Sequence, residues 1–266
     1  MSDVAVSFDL DGVLMPSPLR QTVFASLWKV LGEFWAHKQG ISLEGAQAQL
    51  ADMVGAQRSR RIAAGDLVGA YDWDAIIGSV ARSLGYGQGF SIAQMVEERC
   101  RDAQSLPGYP EVPGVLGRLS EIGVYMVVIT NGYARYQMPV LRALGLVPYF
   151  QRIVTSDLVG HAKPEREIFE YAFGEVAPGR RYHVGDLLSQ DVAGANAAGV
   201  RSIWLNRDLP EGFRARAPSQ RPGLAGFLEY MGSALKQEEA FPTTQESLVP
   251  QYVVWRLEEV EAVIAA

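Results

Sequence analysis

A doubly wound α/β sheet, with a helical module inserted after its first strand, is the fold class this sequence predicts. Three observations carry it. Short apolar runs that read as buried strands recur along the chain, beginning with Val4-Ala5-Val6-Ser7-Phe8. From residue 106 onward such runs alternate with helix-spaced segments, the texture of a parallel sheet covered on both faces. Between the first run and that alternation, residues 21–102 show helical spacing and no convincing strand.

The first strand ends in Asp9 and Asp11, one residue apart, and Gly12 lets the chain turn away. Met15-Pro16-Ser17-Pro18 is a breaker. Thr22 to Lys38 sets Val23, Leu27, Val30, Leu31 and Phe34 on one helix face. Leu43 to Arg61, Trp73 to Leu84 and Ile92 to Ala103 are three more helices, with loops at Asp66 to Tyr71 and Gly85 to Gly89. The Pro- and Gly-rich stretch from Leu106 to Gly114 reads as a return linker or hinge. The expected division is therefore a core of residues 1–16 and 106–266 and a helical module of residues 17–105.

Beyond the linker, Val115 to Ile122 is a helix and Val124 to Ile129 a continuous apolar strand. Arg135 to Leu144 is a helix closed by Gly145. Arg152 to Thr155 is a strand. Glu165 to Gly174 is a helix, with Pro164 suited to its first position. Arg181 to Val184 is a strand, Gln190 to Ala198 a helix and Arg201 to Leu205 a strand. Right-handed crossovers would join them. Asn206 to Pro222 reads as an exposed loop and Gly223 to Lys236 as a helix. Tyr252 to Trp255 is a last edge strand, followed by a helix from Leu257 to Ile264.

Composition narrows the function classes. The 266 residues are 48% apolar and 20% charged, those of an ordinary globular protein. A net charge of −6 gives no basic footprint for nucleic acid. A small phosphorylated metabolite needs only a local positive site. Cys100 is the single cysteine, so no intrachain disulfide forms, which suits a reducing compartment. The N-terminus lacks a secretory pattern, and no apolar run approaches the roughly 20 residues that span a bilayer. The expectation is a cytoplasmic protein without a membrane partner.

The chemistry collects at strand exits, where ligands bind in an open parallel sheet. Asp9 and Asp11 would point to the same side of a strand end. Their repulsion is relieved by a divalent cation, or by a task that needs one carboxylate as nucleophile and the other as acid or base. The second strand ends in Thr130-Asn131-Gly132. Lys163-Pro164 opens the helix after the third. The fourth ends in Gly185-Asp186, with Asp191 five residues on.

These four motifs, in this order over roughly residues 1–206, resemble those of the haloacid dehalogenase-like (HAD) phosphohydrolases. The resemblance implies a Rossmann-like core and makes residues 17–105 similar to that family's C1 cap, which would open and close over the site. Gly194-Ala195-Asn196-Ala197-Ala198-Gly199 and Trp204-Leu205-Asn206 look most like the branch of nucleotidases and sugar-phosphate phosphatases. It further implies that Asp9 attacks phosphorus and that Asp11 is acid and then base. Asp9, the Asp11 carbonyl and Asp186 would bind Mg2+, with Asp191 orienting a metal water. Thr130, Asn131 and backbone N–H groups near Gly132 would hold phosphoryl oxygens, and Lys163 would offset their charge.

The implied reaction is hydrolysis of a nucleoside monophosphate or sugar phosphate. Asp11 argues against the dehalogenases of the family, because carbon–halogen cleavage releases no alkoxide to protonate. Two further readings stay open: a phosphomutase, and a non-catalytic binding or regulatory protein on the same core. The sequence departs from the family pattern at Leu187, where relatives carry a small polar residue. It departs again at residues 208–248, a long connection whose open uses are covering the core, packing on the cap or forming a homodimer contact.

Plainer readings stand beside these. Thr130-Asn131-Gly132 by itself would be a turn. Asp186 could cap the following helix, and Asp191 could be a surface acid of its first turn. His183, in a strand, reads as a hydrogen-bonded core histidine, and His37 and His161 carry no role. Trp28, Phe34 and Trp35 read as core packing between helices, and Arg58, Arg60 and Arg61 as a solvated helix face.

Overall fold

The structure is a computed structural model and describes residues 3–17, 23–102, 106, 108–174, 179–238, 241 and 245–266. The breaker residue Pro18, the helix start at Thr22, the helix end at Ala103 and the linker residue Pro107 lie outside the described residues. The elements in chain order are β1 (Val4–Phe8), α1 (Phe24–Gln39), α2 (Leu43–Ala63), α3 (Trp73–Leu84), α4 (Ile92–Cys100), α5 (Val112–Glu121), β2 (Tyr125–Thr130), α6 (Ala134–Ala143), β3 (Arg152–Thr155), α7 (Ser156–Val159), α8 (Arg166–Phe173), β4 (Arg180–Gly185), α9 (Ala193–Ala197), β5 (Arg201–Leu205), α10 (Glu211–Arg214), α11 (Phe227–Leu235), β6 (Tyr252–Val254) and α12 (Glu259–Ala265). They fall into two compact units. One is Met1–Pro16, Gly108–Thr130 and Leu146–Ala266; the other is Ser17–Pro107 and Asn131–Gly145.

The first unit is built on a six-stranded sheet in the order β3-β2-β1-β4-β5-β6. Every neighbouring pair is parallel. The winding runs outward from β1 through β2 to β3, then resumes on the other side of β1 with β4. The carboxyl ends of β1 and β4 therefore flank the point of reversal, where an open sheet forms a ligand crevice. Apolar runs can form these strands because both faces are covered. Ala5, Val127, Ile129 and Val154 pack one face onto Ile168, Phe169, Ala172 and Phe173 of α8.

The described residues between 208 and 248 cover the β5–β6 edge. Phe227, Met231, Leu209 and Leu248 pack on Trp204 and Val253 of those strands. The exposed loop expected over Asn206 to Pro222 is corrected here. It contains α10, and it buries Leu209 and Arg221. Arg221 donates to the carbonyls of Phe213, Arg214, Arg216 and Val253 and forms a two-pronged ion pair with Glu259. That buried fork converts an irregular segment into a fixed one.

The second unit is helical. Ser42, Asp72 and Ser91 cap α2, α3 and α4 through side-chain oxygens that accept from Gly45, Ala75 and Gln94 N–H. α6 belongs to this unit because its first turn grips the start of α3. Arg135 pairs with Asp72 at 2.5 Å and Asp74 at 3.1 Å, and the Tyr136 hydroxyl accepts from Asp74 N–H at 3.0 Å. Trp28 and Phe34 lie half-buried among the unit's own aromatics, Phe24 beside Trp28 and Tyr86 beside Phe34. The basic trio divides: Arg60 is exposed, Arg58 lies over Tyr71, and Arg61 donates to the Gly69 carbonyl. The solvated-face reading thus holds for Arg60 alone.

Candidate active site

Asp9 follows β1 directly, and its N–H donates to the Val184 carbonyl of β4 at 2.8 Å, so β4 fixes where its side chain begins. Lys163 reaches the same place from the α7–α8 connection. Its ammonium donates to Asp9 Oδ1 at 2.5 Å, to Asp191 Oδ1 at 2.6 Å and to the Ile129 carbonyl at 3.1 Å. The turn that aims Lys163 is closed twice: Glu165 N–H donates to the Ala162 carbonyl, and the Glu165 carboxylate accepts from Ala162 N–H, both at 2.8 Å. This turn displaces the helix start. α8 begins at Arg166 with Glu165 extended before it, so Pro164 is not its first residue, and the Lys163–Pro164 bond is cis.

The acids after β4 take distinct places. Asp191 is 1% exposed and lies in the π-helical turn Leu188–Val192, which corrects its reading as a surface acid. It packs against Gly185, where a Cβ would meet the Asp191 Cβ at 2.1 Å. That close approach explains a glycine at the strand end. Asp191 Oδ2 accepts from Leu187 N–H at 3.0 Å, a bond the leucine side chain does not disturb. Asp186 is not the helix cap: Leu187 holds the capping position, without a side-chain bond. Asp186 Oδ1 is buried and has no hydrogen-bond partner among the described residues.

His183 completes the network, and sequence reasoning left it without a link to the acids. Nε2 lies 3.0 Å from Asp191 Oδ1, and Nδ1 lies 2.8 Å from Ser7 Oγ. An ionised Asp191 can only accept, so Nε2 carries the hydrogen, and Nδ1 of the neutral ring accepts from the Ser7 hydroxyl. The available signal was two polar residues interrupting apolar strands, Ser7 and His183, which are register partners.

The charges do not balance. Oxygens of Asp9, Asp186 and Asp191 lie within 4.8 Å of one another. Burial would raise the Asp191 pKa, but Lys163 and His183 overcome it and hold the carboxyl well below the usual range. Burial would lower the Lys163 pKa, but Asp191 and Asp9 outweigh it and keep the ammonium charged. Burial holds the His183 imidazole below its ordinary value. Among the described residues Lys163 is the one buried ammonium here, and its pull on the other acids does not offset their burial. Asp9 is pushed up to about 7, chiefly by burial and then by Asp191 against the pull of Lys163. Asp186 is pushed well above the carboxylate range by burial and by Asp9 and Asp191. A hard divalent cation fits this donor set, since it takes carboxylate oxygens and would satisfy the orphaned Oδ1 of Asp186.

Among the candidate residues, Asp9, Lys163, Asp186 and Asp191 meet here. Asp11 is half-buried in the adjoining turn, where Gly12 N–H donates to the Met15 carbonyl at 2.7 Å. Thr130 closes β2, next to β1, and is buried. Asn131 and Gly132 follow it in the chain and group with the helical unit. Among the described residues no helix is long and apolar enough to cross a membrane.

Comparison with known proteins adds a family. A model described as haloacid dehalogenase-like hydrolase matches residues 4–199. Phosphoserine phosphatase of Thermus thermophilus is 34% identical over 134 residues, 49% of this chain and 52% of the relative. Pyrimidine 5'-nucleotidase YjjG of Escherichia coli is 38% identical over 109 residues, 38% of this chain and 48% of the relative. The chain spans about half the length of the curated relatives it matches. A HAD phosphatase from Thermococcus onnurineus superposes with a TM-score of 0.67 at 24% identity, covering 98% of this chain and 97% of the other. The L-2-haloacid dehalogenase of Xanthobacter autotrophicus gives 0.58 at 20% identity, with 98% of each chain covered. Those two share the fold.

Proposed function

Since the chain belongs to the haloacid dehalogenase-like hydrolase family, we propose that it is a Mg2+-dependent phosphomonoesterase acting on a small phosphorylated metabolite. The observation that carries this reading is the charge deficit around Asp9: among the described residues, three clustered carboxylates share a single buried ammonium. A divalent cation and a phosphoryl group together meet that deficit. Relatives named for phosphoserine, pyrimidine nucleotides and glyceraldehyde 3-phosphate support a small substrate. A nucleoside monophosphate or sugar phosphate is the class proposed.

Asp9, the Asp11 carbonyl and Asp186 would hold Mg2+, and Asp191 would orient its water. The ion, when bound, neutralises charge on the transferring phosphoryl group. The chain's own residues do the rest. The Asp9 carboxylate attacks phosphorus, and the bond to the substrate oxygen breaks. The Asp11 carboxyl gives its proton to the departing alkoxide. The resulting Asp11 carboxylate then takes a proton from water, whose oxygen attacks phosphorus, and the bond to Asp9 breaks. Free phosphate leaves and both acids are restored. Thr130, Asn131 and the backbone at Gly132 orient the phosphoryl oxygens, while Lys163 offsets their charge.

Asp11 favours this chemistry over dehalogenation, which has no alkoxide to protonate. The test is a phosphate-release screen over a metabolite panel, with and without Mg2+. Release is expected from at least one phosphomonoester, only with the metal, and is lost in Asp9→Asn. Wild-type turnover by Asp9→Asn would defeat the covalent route, and isomerised substrate without free phosphate would indicate a phosphomutase.

A further inference from the structure

Residues 208–248 do more than cover an edge strand, because Glu238 reaches back to the acidic loop after β4. Its Oε1 accepts from Leu188 N–H at 2.7 Å, and its Oε2 accepts from Ser189 N–H at 2.8 Å and from the Ser189 hydroxyl at 2.6 Å. These donors lie between Asp186 and Asp191. They are also amides that a carboxylate at position 186, just ahead of the turn, could otherwise bind. The helix that begins here is thus capped from a distant part of the chain, 50 residues away in sequence.

We propose that Glu238 is a positioning residue that frees Asp186 from capping and keeps its carboxylate available to a divalent cation. Three observations converge. The N–H groups of Leu187, Leu188 and Ser189 all go to carboxylates other than Asp186. Asp186 Oδ1 is buried with no hydrogen-bond partner among the described residues. Glu238 lies beyond residues 4–199, where the family model matches, so this device belongs to the added segment. Without Glu238, the two freed amides and the positive end of the turn would draw the Asp186 carboxylate onto themselves. Cation binding would then have to break those bonds.

The inference rests on the metal-dependent reading above, and its test separates the two. Mg2+ binding is measured by titration calorimetry on the unaltered protein and on Glu238→Ala, with circular dichroism to establish the fold. Loss of a group that orients a ligand from behind typically weakens metal affinity about 10–100-fold, which is the effect expected for Glu238→Ala. kcat should fall while the substrate KM changes by less than about twofold, because the substrate itself is not touched. Glu238→Gln keeps one acceptor oxygen and should lie between. If Glu238→Ala does not fold, Ser189→Ala, which removes one bond, should still weaken Mg2+ binding about threefold or more. A cap that serves stability alone would lower the unfolding midpoint and leave affinity within about twofold in the folded variants, and that result overturns the proposal. Absence of Mg2+ binding by the unaltered protein overturns both readings.

Discussion

A β-carbon built on Gly12 would lie 2.1 Å from Oδ2 of Asp186. The turn after β1 and the carboxylate after β4 therefore adjoin with no room for a side chain. Gly12 also has φ at +88°, where a Cβ is disfavoured by about 1–2 kcal/mol. Both constraints act on the loop that carries Asp11.

Gly12→Ala should accordingly cost activity more than stability. Either the backbone moves away from Asp186 and takes Asp11 with it, or the Asp186 carboxylate is pushed from its place. A loss of about a hundredfold or more in kcat/KM is expected, near 2.7 kcal/mol of transition-state stabilisation. Steady-state kinetics on the best phosphomonoester, beside an unfolding curve, would decide it. Unchanged kcat/KM would show that the close approach does not matter.

Metal binding should strengthen as pH rises toward neutrality. Asp9 is pushed from 3.8 to about 7 in the folded protein without metal. The folded state thus holds a proton on Asp9 that the unfolded state has lost. Stability from this group falls as pH rises between those two values and levels off above the higher one. A cation that takes the proton's place removes that loss. The rise in unfolding temperature on adding Mg2+ should therefore grow between about pH 5 and 7.5. A pH-independent increment would mean that Asp9 is not among the groups that bind the ion.

Ser7→Ala should weaken the site from behind. It leaves the acceptor Nδ1 of buried His183 without the hydroxyl now 2.8 Å away. An unsatisfied buried acceptor costs about 1–3 kcal/mol, readable in urea unfolding. A change below about 0.5 kcal/mol would show that His183 does not depend on the Ser7 hydroxyl.

Arg221→Met tests whether the added segment is fixed by its buried fork. Removing the guanidinium strands Glu259, the partner 2.7 Å away. A loss of about 3–5 kcal/mol is expected from urea denaturation. Less than about 1 kcal/mol would place the segment's stability in its apolar contacts with Trp204 and Val253.

The strands were legible in the sequence because a sheet covered on both faces needs unbroken apolar runs, and Val124 to Ile129 is such a run. The helical unit was legible because 3.6-residue spacing is a local signal, as at Val23, Leu27, Val30, Leu31 and Phe34. Asp9, Asp11, Asp186 and Asp191 stood out because they follow strands, and Lys163 because it precedes Pro164 between a strand and a helix; in a parallel sheet strand ends converge.

What the sequence left open depends on contacts between distant residues. Pro164 looked like a helix start because spacing cannot show the turn that Glu165 closes on Ala162. The plainer reading of Asp191 as a surface acid was open because its burial comes from the approach of Gly185, Lys163 and His183, each on another part of the chain or across a turn. Glu238 gave no signal, since its partners lie 49 and 50 residues earlier. The residue types and their order along the chain determined the acids, the lysine and the strands that present them. Only the tertiary structure decided which oxygens are satisfied by protein and which are left over, because that balance is set by packing among segments that no local pattern relates.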